Sequence, residues 1–492
     1  MKNASAPLVV TAAFPFVPAD LNMAHMASTY VPADIYTRFQ KMLGRKCVFI
    51  SGIDVHSIQV SSDGRTRAGA EPLCTDYTAR YRKNFEAMNI ACDSFARTDH
   101  PEHIALVNEV LFRLHEGGHF AVRPRTVSVC PLCKAVPPPR LARDLGKQLG
   151  CPYCEGVLKD ETRDHIYLRL EPHFERLAQL YAVVTPKDQH KWLSGQLKEP
   201  PPDWCISRDH RVGLPLPFGR PGLSLYLWME SLIGYETQAR WALGERPDDL
   251  RFVHFIGKNI QYYHAVAWPV LLRYGLNRPD DCFRCSGRGF LNIDRSTPGL
   301  VDIDAAVASF HQDWLRLFLA LKVRDGQADY TLNETELLQT MRTVGHNTLG
   351  NLLHRMVSVL VRNADRAREL DPASPLVEHF LTKVIPGLKQ DLETCRVRGA
   401  VQRVVAYARH INAQVSQRQL YLGDDAHKLG ELAFATASLV QLLRPIMPKL
   451  AQVYDIFDGW DHDAFKDALT AHQHPIHYSG LVWPNDARES CG

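Results

Sequence analysis

The stretch Thr11-Ala12-Ala13-Phe14-Pro15-Phe16-Val17-Pro18-Ala19-Asp20-Leu21-Asn22-Met23-Ala24-His25 follows the apolar run Leu8-Val9-Val10. The run reads as a buried strand, the prolines bound a turn, and the segment through Met26 to Leu43 reads as a helix. A strand that turns into a helix amino end beside small residues is where a doubly wound α/β fold receives phosphate. The loop holds no glycine, and an ordinary strand–helix junction has the same outline. The neighbouring segments decide between the two.

Outward from this stretch, Val48-Phe49-Ile50-Ser51-Gly52 reads as a second strand, ending in Ile53-Asp54-Val55-His56. Polar groups at the carboxyl end of a parallel strand lie on the edge where such sheets bind ligands, although an aspartate there also serves as a helix cap. Farther on, Leu223 to Tyr235 reads as a strand running into an aromatic-rich helix. Arg251 to Lys258 is a strand ending in Gly-Lys, and Asn259 to Leu272 reads as a helix. Three strand ends thus bring aromatic and polar side chains to one edge, the composition of a pocket for a small zwitterion with an apolar side chain.

At 492 residues, 45% apolar and 23% charged, the chain has room for two to four globular domains. A formal charge of +3 argues against a global basic field for nucleic acid, leaving room for a local basic face. No run of about 18 apolar residues could span a bilayer, and the amino end lacks a secretory pattern. A cytoplasmic protein with no membrane partner is expected. Its twelve cysteines are scattered or paired, and paired cysteines in a reducing compartment point first to metal.

The periodicity breaks down from Phe120 to Gly156. Here Cys130-Pro131-Leu132-Cys133 and Cys151-Pro152-Tyr153-Cys154 form two CxxC knuckles separated by seventeen residues. The spacing suits four thiolates around a structural zinc; the alternatives are a redox pair or a site that has lost its metal. Cys282 and Cys285 read as two unlinked thiols in a loop. Cys47 and Cys205 read as packed thiols, because nothing in the sequence places a base beside them. From about residue 303 to 475 the chain reads as four amphipathic helices, Asp304 to Lys322, Glu334 to Asp365, Pro375 to Asn412 and Asp425 to Phe457, forming a bundle.

Together, Phe14 to His25, Ile50 to His56, both knuckles, Trp204 to Asp209, Tyr226 to Tyr235, His254 to Pro269 and Leu349 to Arg355 resemble the methionyl-tRNA synthetases. The resemblance implies an α/β Rossmann-type parallel-sheet catalytic domain with a zinc-knuckle insertion, followed by an all-α helical bundle. The expected units are a first catalytic half over 1–116, an insertion over 117–222 with knuckles at 130–154, and a second catalytic half over 223–300. A linking helical segment over 301–335 and a bundle resembling an anticodon-binding domain over 336–492 follow.

The family forms an aminoacyl adenylate from an amino acid and ATP, with magnesium, and then acylates tRNA. Both steps need positioned donors around the phosphates. Its His-x-Gly-His signature stands here as Asn22-Met23-Ala24-His25. His25 is the surviving imidazole, Asn22 keeps a neutral donor, and the methyl of Ala24 narrows the adenine shelf. The Lys-Met-Ser-Lys-Ser loop stands as Asn292-Ile293-Asp294-Arg295-Ser296-Thr297-Pro298-Gly299, with Arg295 its one cation. Loss of one such donor commonly costs about 3 to 4 kcal/mol of transition-state stabilisation, so slow adenylation is expected. Lys258 and Gly257 also fall on the nucleotide side, where Asn259 replaces an aspartate near the ribose.

The resemblance implies that Asp54 binds the substrate ammonium and that Trp228, Tyr235, Tyr263 and His264 shape the side-chain pocket. Phe14 and Phe16 replace the usual Leu and Tyr, and Ser231-Leu232 replaces Ala-Pro, so the bound amino acid need not be methionine. At the anticodon-reading positions stand His354 and Tyr421, after Leu420 in place of proline. The leading expectation is a paralogue that passes its acyl group to a small amine or hydroxylamine. Relatives of this type, often fused to a cupin domain, serve hydrazine-forming natural-product pathways; here a cupin-type partner would be a separate protein. The alternatives are a divergent methionine-tRNA ligase and a catalytically silent binding or scaffold protein.

Overall fold

The computed structural model describes residues 6–57, 68–133, 136–137, 142–146, 148–152, 154–209, 213–218, 222–244, 247, 249–294, 298–366 and 368–454. In chain order, β1 (Leu8–Ala12), β2 (Cys47–Ile53) and β3 (Ser94–Arg97) precede an antiparallel ribbon of β4 (Phe120–Val129) and β5 (Lys159–Leu168). Then come β6 (Val184–Thr185), β7 (Arg251–Gly257) and β8 (Phe283–Arg288). Apart from the ribbon these strands form one sheet in the order β3-β2-β1-β7-β8-β6. Every pairing in it is parallel.

The sheet is covered on both faces, which is why its strands are apolar without a polar side. Leu8, Val10 and Ala12 point into one core while Val9 points into the other. Phe49 and Ile50 divide in the same way, as do Phe255 and Ile256. Strand placement runs outward from β1 through β2 to β3, and in the other direction from β7 to β8. The carboxyl ends of β1 and β7 therefore flank the topological switch point, where such sheets bind ligands.

The sequence shows no periodicity after Phe120, yet β4 is ten residues long and pairs with β5 from Phe120↔Leu168 to Val129↔Lys159. Most of β4 is exposed or half-buried, so no buried face imposes an alternation on Arg123-Pro124-Arg125. The far end of this ribbon carries the knuckles. The Sγ atoms of Cys130, Cys133, Cys151 and Cys154 all lie within 4.8 Å of one another. Thiolates about 2.3 Å from a tetrahedral zinc stand roughly 3.8 Å apart, so the set fits a closed structural site.

The surroundings fit it too. The Gly156 amide donates to Cys154 Sγ at 3.4 Å, and a Cβ on Gly156 would sit 2.5 Å from Cys130 Sγ. Arg143 ties the two ends of the second knuckle by donating to the carbonyls of Cys151 and Cys154, each at 2.7 Å.

The helical part begins with Ile303–Phe310 and Gln312–Lys322 and ends, among the described residues, with Pro448–Val453. Three of the expected helices are broken. His311, at φ 59°, divides Asp304 to Lys322, and Cys395, at φ 54°, divides Pro375 to Asn412. The fourth stops at Leu443, ahead of Pro448–Val453. The first two kinks are left-handed conformations at non-glycine residues, for which the sequence carries no glycine signal. Cys285 lies on β8, not in a loop, and both it and Cys282 are buried. Among the described residues no helix is long and apolar enough to cross a membrane.

Arg316 joins the bundle to the sheet. Its fully buried guanidinium donates to Asp34 Oδ2 at 2.6 Å and to the carbonyls of Pro445, Ile446, Met88 and Asn89 at 2.8–3.2 Å. Asp34 also accepts from Arg38 Nε at 2.8 Å and from the Ala91 amide at 3.0 Å. Arg316→Met should lower the unfolding free energy in urea by about 3 to 5 kcal/mol, because it takes one charge partner from buried Asp34, which keeps Arg38 and the Ala91 amide, and removes the Arg316 donors from the carbonyls of Pro445, Ile446 and Met88. Arg316→Lys should not restore it, since an ammonium has three donors and no fork. A loss under about 1 kcal/mol would show that the seam does not depend on this residue. Chelation at neutral pH should release one zinc per chain and deprotect the ribbon amides in hydrogen exchange while leaving those of β1 and β7 protected. Cys133→Ser protein should arrive with substoichiometric metal.

Candidate functional site

Two loops are zipped together at the carboxyl ends of β1 and β2. The Asp54 amide donates to Pro15 O at 2.8 Å and the Val17 amide to Asp54 O at 2.9 Å. This fixes Phe14 and Asp54 at the switch point. A Cβ at Gly52 would lie 2.5 Å from the Phe14 ring, and one at Gly234 2.7 Å from it, so the ring occupies a slot that two glycines leave open. Tyr235 meets it edge-on with centroids 5.2 Å apart. Phe16 differs from Phe14: it is 37% exposed, and its carbonyl accepts from the Tyr81 hydroxyl at 3.0 Å.

Asp54 is 3% exposed. Its Oδ2 lies 2.6 Å from Ser231 Oγ, while its Oδ1 is buried without a hydrogen-bond partner. Burial raises its pKa well above the usual carboxylate range; Ser231 acts in the opposite sense, and the Glu230 charge adds to the rise. Ser231 Oγ also lies 2.7 Å from Leu227 O. Ser231 thus shares one hydroxyl hydrogen between two acceptors, and a protonated Asp54 would complete the chain by donating to Ser231.

The helix Leu227–Leu243 carries this wall, with Leu232 and Tyr235 buried and Trp228 half-buried. The Tyr235 hydroxyl bonds His264 Nε2 at 2.9 Å, and His264 Nδ1 bonds Ile260 O at 3.1 Å. A carbonyl only accepts, so His264 carries its hydrogen on Nδ1 and receives the tyrosine hydrogen on Nε2. Burial lowers its pKa to about 4, which keeps it neutral. Tyr263 stands edge-on to Trp228 at 4.7 Å, and Tyr226 tilts against Trp228 at 5.4 Å.

Behind Asp54 lies a group that sequence reasoning did not single out. Glu230 Oε1 is 2.8 Å from His56 Nδ1 and 3.8 Å from His103 Nε2, and His103 Nδ1 bonds Thr237 Oγ1 at 2.8 Å. All three ionisable side chains are buried. Glu230 precedes Ser231 on an otherwise apolar helix turn, which was the available signal.

The residues expected on the nucleotide side are engaged with neighbours in the chain. Asn22 caps its helix: Oδ1 accepts from the amides of Ala24 and His25 at 3.0 and 3.3 Å, and its own amide donates to His25 Nδ1 at 3.2 Å. His25 therefore carries its ring hydrogen on the exposed Nε2, and Asn22 keeps only its Nδ2 hydrogens. Partial desolvation lowers the His25 pKa and favours the neutral ring.

Ala24 is half-buried against the core. Asn259 Oδ1 packs against Gly257, where a Cβ would meet it at 2.6 Å. Lys258 is held away from the role expected for it: Nζ bonds Asp329 Oδ1 at 2.7 Å and lies 4.9 Å from the Phe290 ring centroid. The pair is partly exposed and screened by water, so the lysine can exchange partners. Arg295 lies outside the described residues.

The chain is 25% identical over 501 residues to a methionine–tRNA ligase of Methanococcoides burtonii, covering 90% of this chain and 71% of that protein. It is 24% identical over 503 residues to the methionine–tRNA ligase of Methanocaldococcus jannaschii, covering 90% and 74%. The structure superposes on Mycobacterium tuberculosis methionyl-tRNA synthetase bound by methionyl-adenylate with a TM-score of 0.76, at 20% identity over 97% of this chain and 99% of that one. The family model for tRNA synthetases class I (M) matches residues 8–161 and 156–357. With that match spanning the sheet, the ribbon and the start of the bundle, the chain belongs to the class I tRNA synthetases of the methionyl type.

Proposed function

We propose that the chain activates an amino acid with ATP as an aminoacyl adenylate and passes the acyl group to a small amine or hydroxylamine rather than to tRNA. The observation that carries activation is Asp54, a buried carboxyl with one oxygen on Ser231 and the other unpartnered. A buried polar atom without a partner is costly, and an ammonium is the group that satisfies it. Phe14, Trp228, Tyr235 and Leu232 would then face the apolar side chain, with Tyr235 held by neutral His264.

In this reading the substrate carboxylate attacks the α-phosphorus of ATP, the bond to the bridging oxygen breaks, and pyrophosphate leaves. Charge builds on the phosphate oxygens, where the chain offers His25 Nε2–H, the Asn22 amide hydrogens, Lys258 once it leaves Asp329, and Arg295. Magnesium entering with ATP would neutralise part of the phosphate charge. The choice of acceptor rests on His354 and Tyr421, which replace the family's anticodon readers. Both side chains are exposed on the bundle, and tRNA is the competing acceptor.

Pyrophosphate exchange across the proteinogenic amino acids should proceed with at least one that has an apolar side chain; no exchange with any would overturn activation. Acyl transfer should then favour hydroxylamine or a small amine over purified tRNA, and faster transfer to tRNA would overturn the acceptor assignment alone. Asp54→Asn should raise KM for the amino acid on the order of 100-fold, the size expected when an uncompensated ammonium is buried. Because an ammonium needs Asp54 ionised, KM should rise as pH falls through its raised pKa. Below that pKa binding should release protons, seen by calorimetry in buffers of different ionisation enthalpy, and Asp54→Asn should release none.

A further inference from the structure

A buried carboxyl with two imidazoles against it is costly, and apolar side chains of the same volume would fill the space more favourably. The contacts of Glu230, His56 and His103 all end on the walls of the amino-acid crevice. Both Glu230 oxygens face His56 Nδ1, at 2.8 and 3.1 Å, so the pair is fixed in angle as well as in distance. His103, on the helix Pro101–Glu116, bonds Thr237 of the aromatic helix at 2.8 Å and turns Nε2, buried without a partner, toward Glu230 Oε1 at 3.8 Å. Burial lowers its pKa to about 4, so it stands there uncharged. A Cβ on Gly234 would lie 3.6 Å from His103 Cε1, in the gap that also admits the Phe14 ring. The cluster thus supports the pocket wall from behind.

The segment from Asp54 to Ser57 follows β2 and is fastened in two directions. Its backbone runs against the loop after β1 and against Thr98, which follows β3: besides the two Asp54 contacts, the Val55 amide donates to Thr98 Oγ1 at 3.3 Å and the Ser57 hydroxyl donates to Val17 O. Its side chains reach the other way, to consecutive residues of one helix turn. Asp54 meets Ser231, and His56 meets Glu230. The first contact alone is a loose anchor, because the Ser231 hydroxyl shares its hydrogen with Leu227 O. With the second in place, the carboxyl cannot pivot away from the helix. The same turn carries Trp228 and Leu232, with Tyr235 one turn on.

We infer that Glu230 and His56 are positioning residues for amino-acid selection: their tie fixes the Asp54 carboxyl against the wall of Trp228, Leu232 and Tyr235, and so fixes how far the ammonium stands from the substrate side chain. The inference rests on the amino-acid activation proposed above. The amine is then read by its place as well as by its charge, since an acid that lacks it, or carries it one carbon away, leaves Asp54 unmet. What the tie requires is reach. A carboxylate one methylene shorter keeps the charge and loses the contact with His56, whereas an amide of the same length keeps the contact and loses the charge.

The test compares Glu230→Gln, Glu230→Asp and Glu230→Ala in the full-length chain, by pyrophosphate exchange and by hydrogen exchange without ligands. Glu230→Asp and Glu230→Ala should raise KM for the activated amino acid roughly tenfold or more, while KM for ATP stays within about twofold. Glu230→Gln should restore the amino-acid KM to within about threefold of the unsubstituted protein. Preference in kcat/KM for that amino acid over its des-amino analogue should shrink in Glu230→Asp by the same factor as KM rises. The Asp54 and Val17 amides should lose protection in Glu230→Asp and keep it in Glu230→Gln, with β1 and β7 protected in both. A larger loss in Glu230→Gln than in Glu230→Asp, or an ATP KM that rises with the amino-acid KM, would overturn the inference, the first pointing to charge and the second to general destabilisation. If the unsubstituted protein activates no amino acid, the activation reading falls on its own account. Hydrogen exchange then decides the tie, and equal protection of the two amides in Glu230→Gln and Glu230→Asp overturns it. The Gln and Asp variants keep a polar group in the cavity and settle the matter even where Glu230→Ala does not fold.

Discussion

The buried fork between Arg316 and Asp34 sets the frame within which everything else is placed. Five hydrogen bonds leave one guanidinium, and they end on three separate pieces of chain: the helical run that follows the loop after β1, the turn at Met88 and Asn89, and the turn at Pro445 and Ile446. A charge taken out of water persists only where its hydrogens are all met. The contact therefore admits one relative arrangement of bundle and sheet. Because Asp34 belongs to the same continuous helical run as His25, the bundle is mechanically continuous with the helix amino end that carries Asn22 and His25.

A second constraint acts at the amino-acid side. Phe14 needs both Gly52 and Gly234 to be without a Cβ, so three separate segments must agree before the loop after β1 can close. Closing that loop aligns its backbone with Asp54, and the buried Glu230, His56 and His103 group stands behind. The pocket is thus organised before any ligand arrives. An unpartnered Asp54 oxygen is tolerable in so rigid a setting because burial raises the pKa, and a carboxyl that keeps its proton avoids an isolated buried charge while donating a hydrogen bond to Ser231.

Local signals in the sequence were sufficient for β1, β2, β7, the aromatic helix and the four knuckle cysteines. Each of these is written in a run of apolar residues or a fixed short spacing. Asp54 was legible for the same reason, as a polar residue at a strand end. What stayed hidden is carried by pairs far apart in the chain. Lys258 meets Asp329 seventy-one positions away, Arg316 meets Asp34 across 282, and His56 meets Glu230 across 174. The ribbon strand β4 was missed because neither of its faces is packed along most of its length. The kinks at His311 and Cys395 use left-handed geometry without glycine.

The two halves of the crevice differ in how much of their binding energy is built in advance. On the amino-acid side, neutral His264 holds Tyr235 and the buried carboxyl waits for a cation. On the nucleotide side, Asn22 spends its oxygen on the helix, His25 is a neutral single donor, and Lys258 rests on Asp329. Interactions that already exist in the ground state lower KM, whereas only those that strengthen on the way to the transition state raise kcat. A water-screened lysine–carboxylate pair is easily exchanged for a phosphate. Lys258 can therefore contribute at the step where charge accumulates while contributing little before it. In the proposed reaction, selectivity falls to the prebuilt pocket and rate to the phosphate donors that must exchange partners.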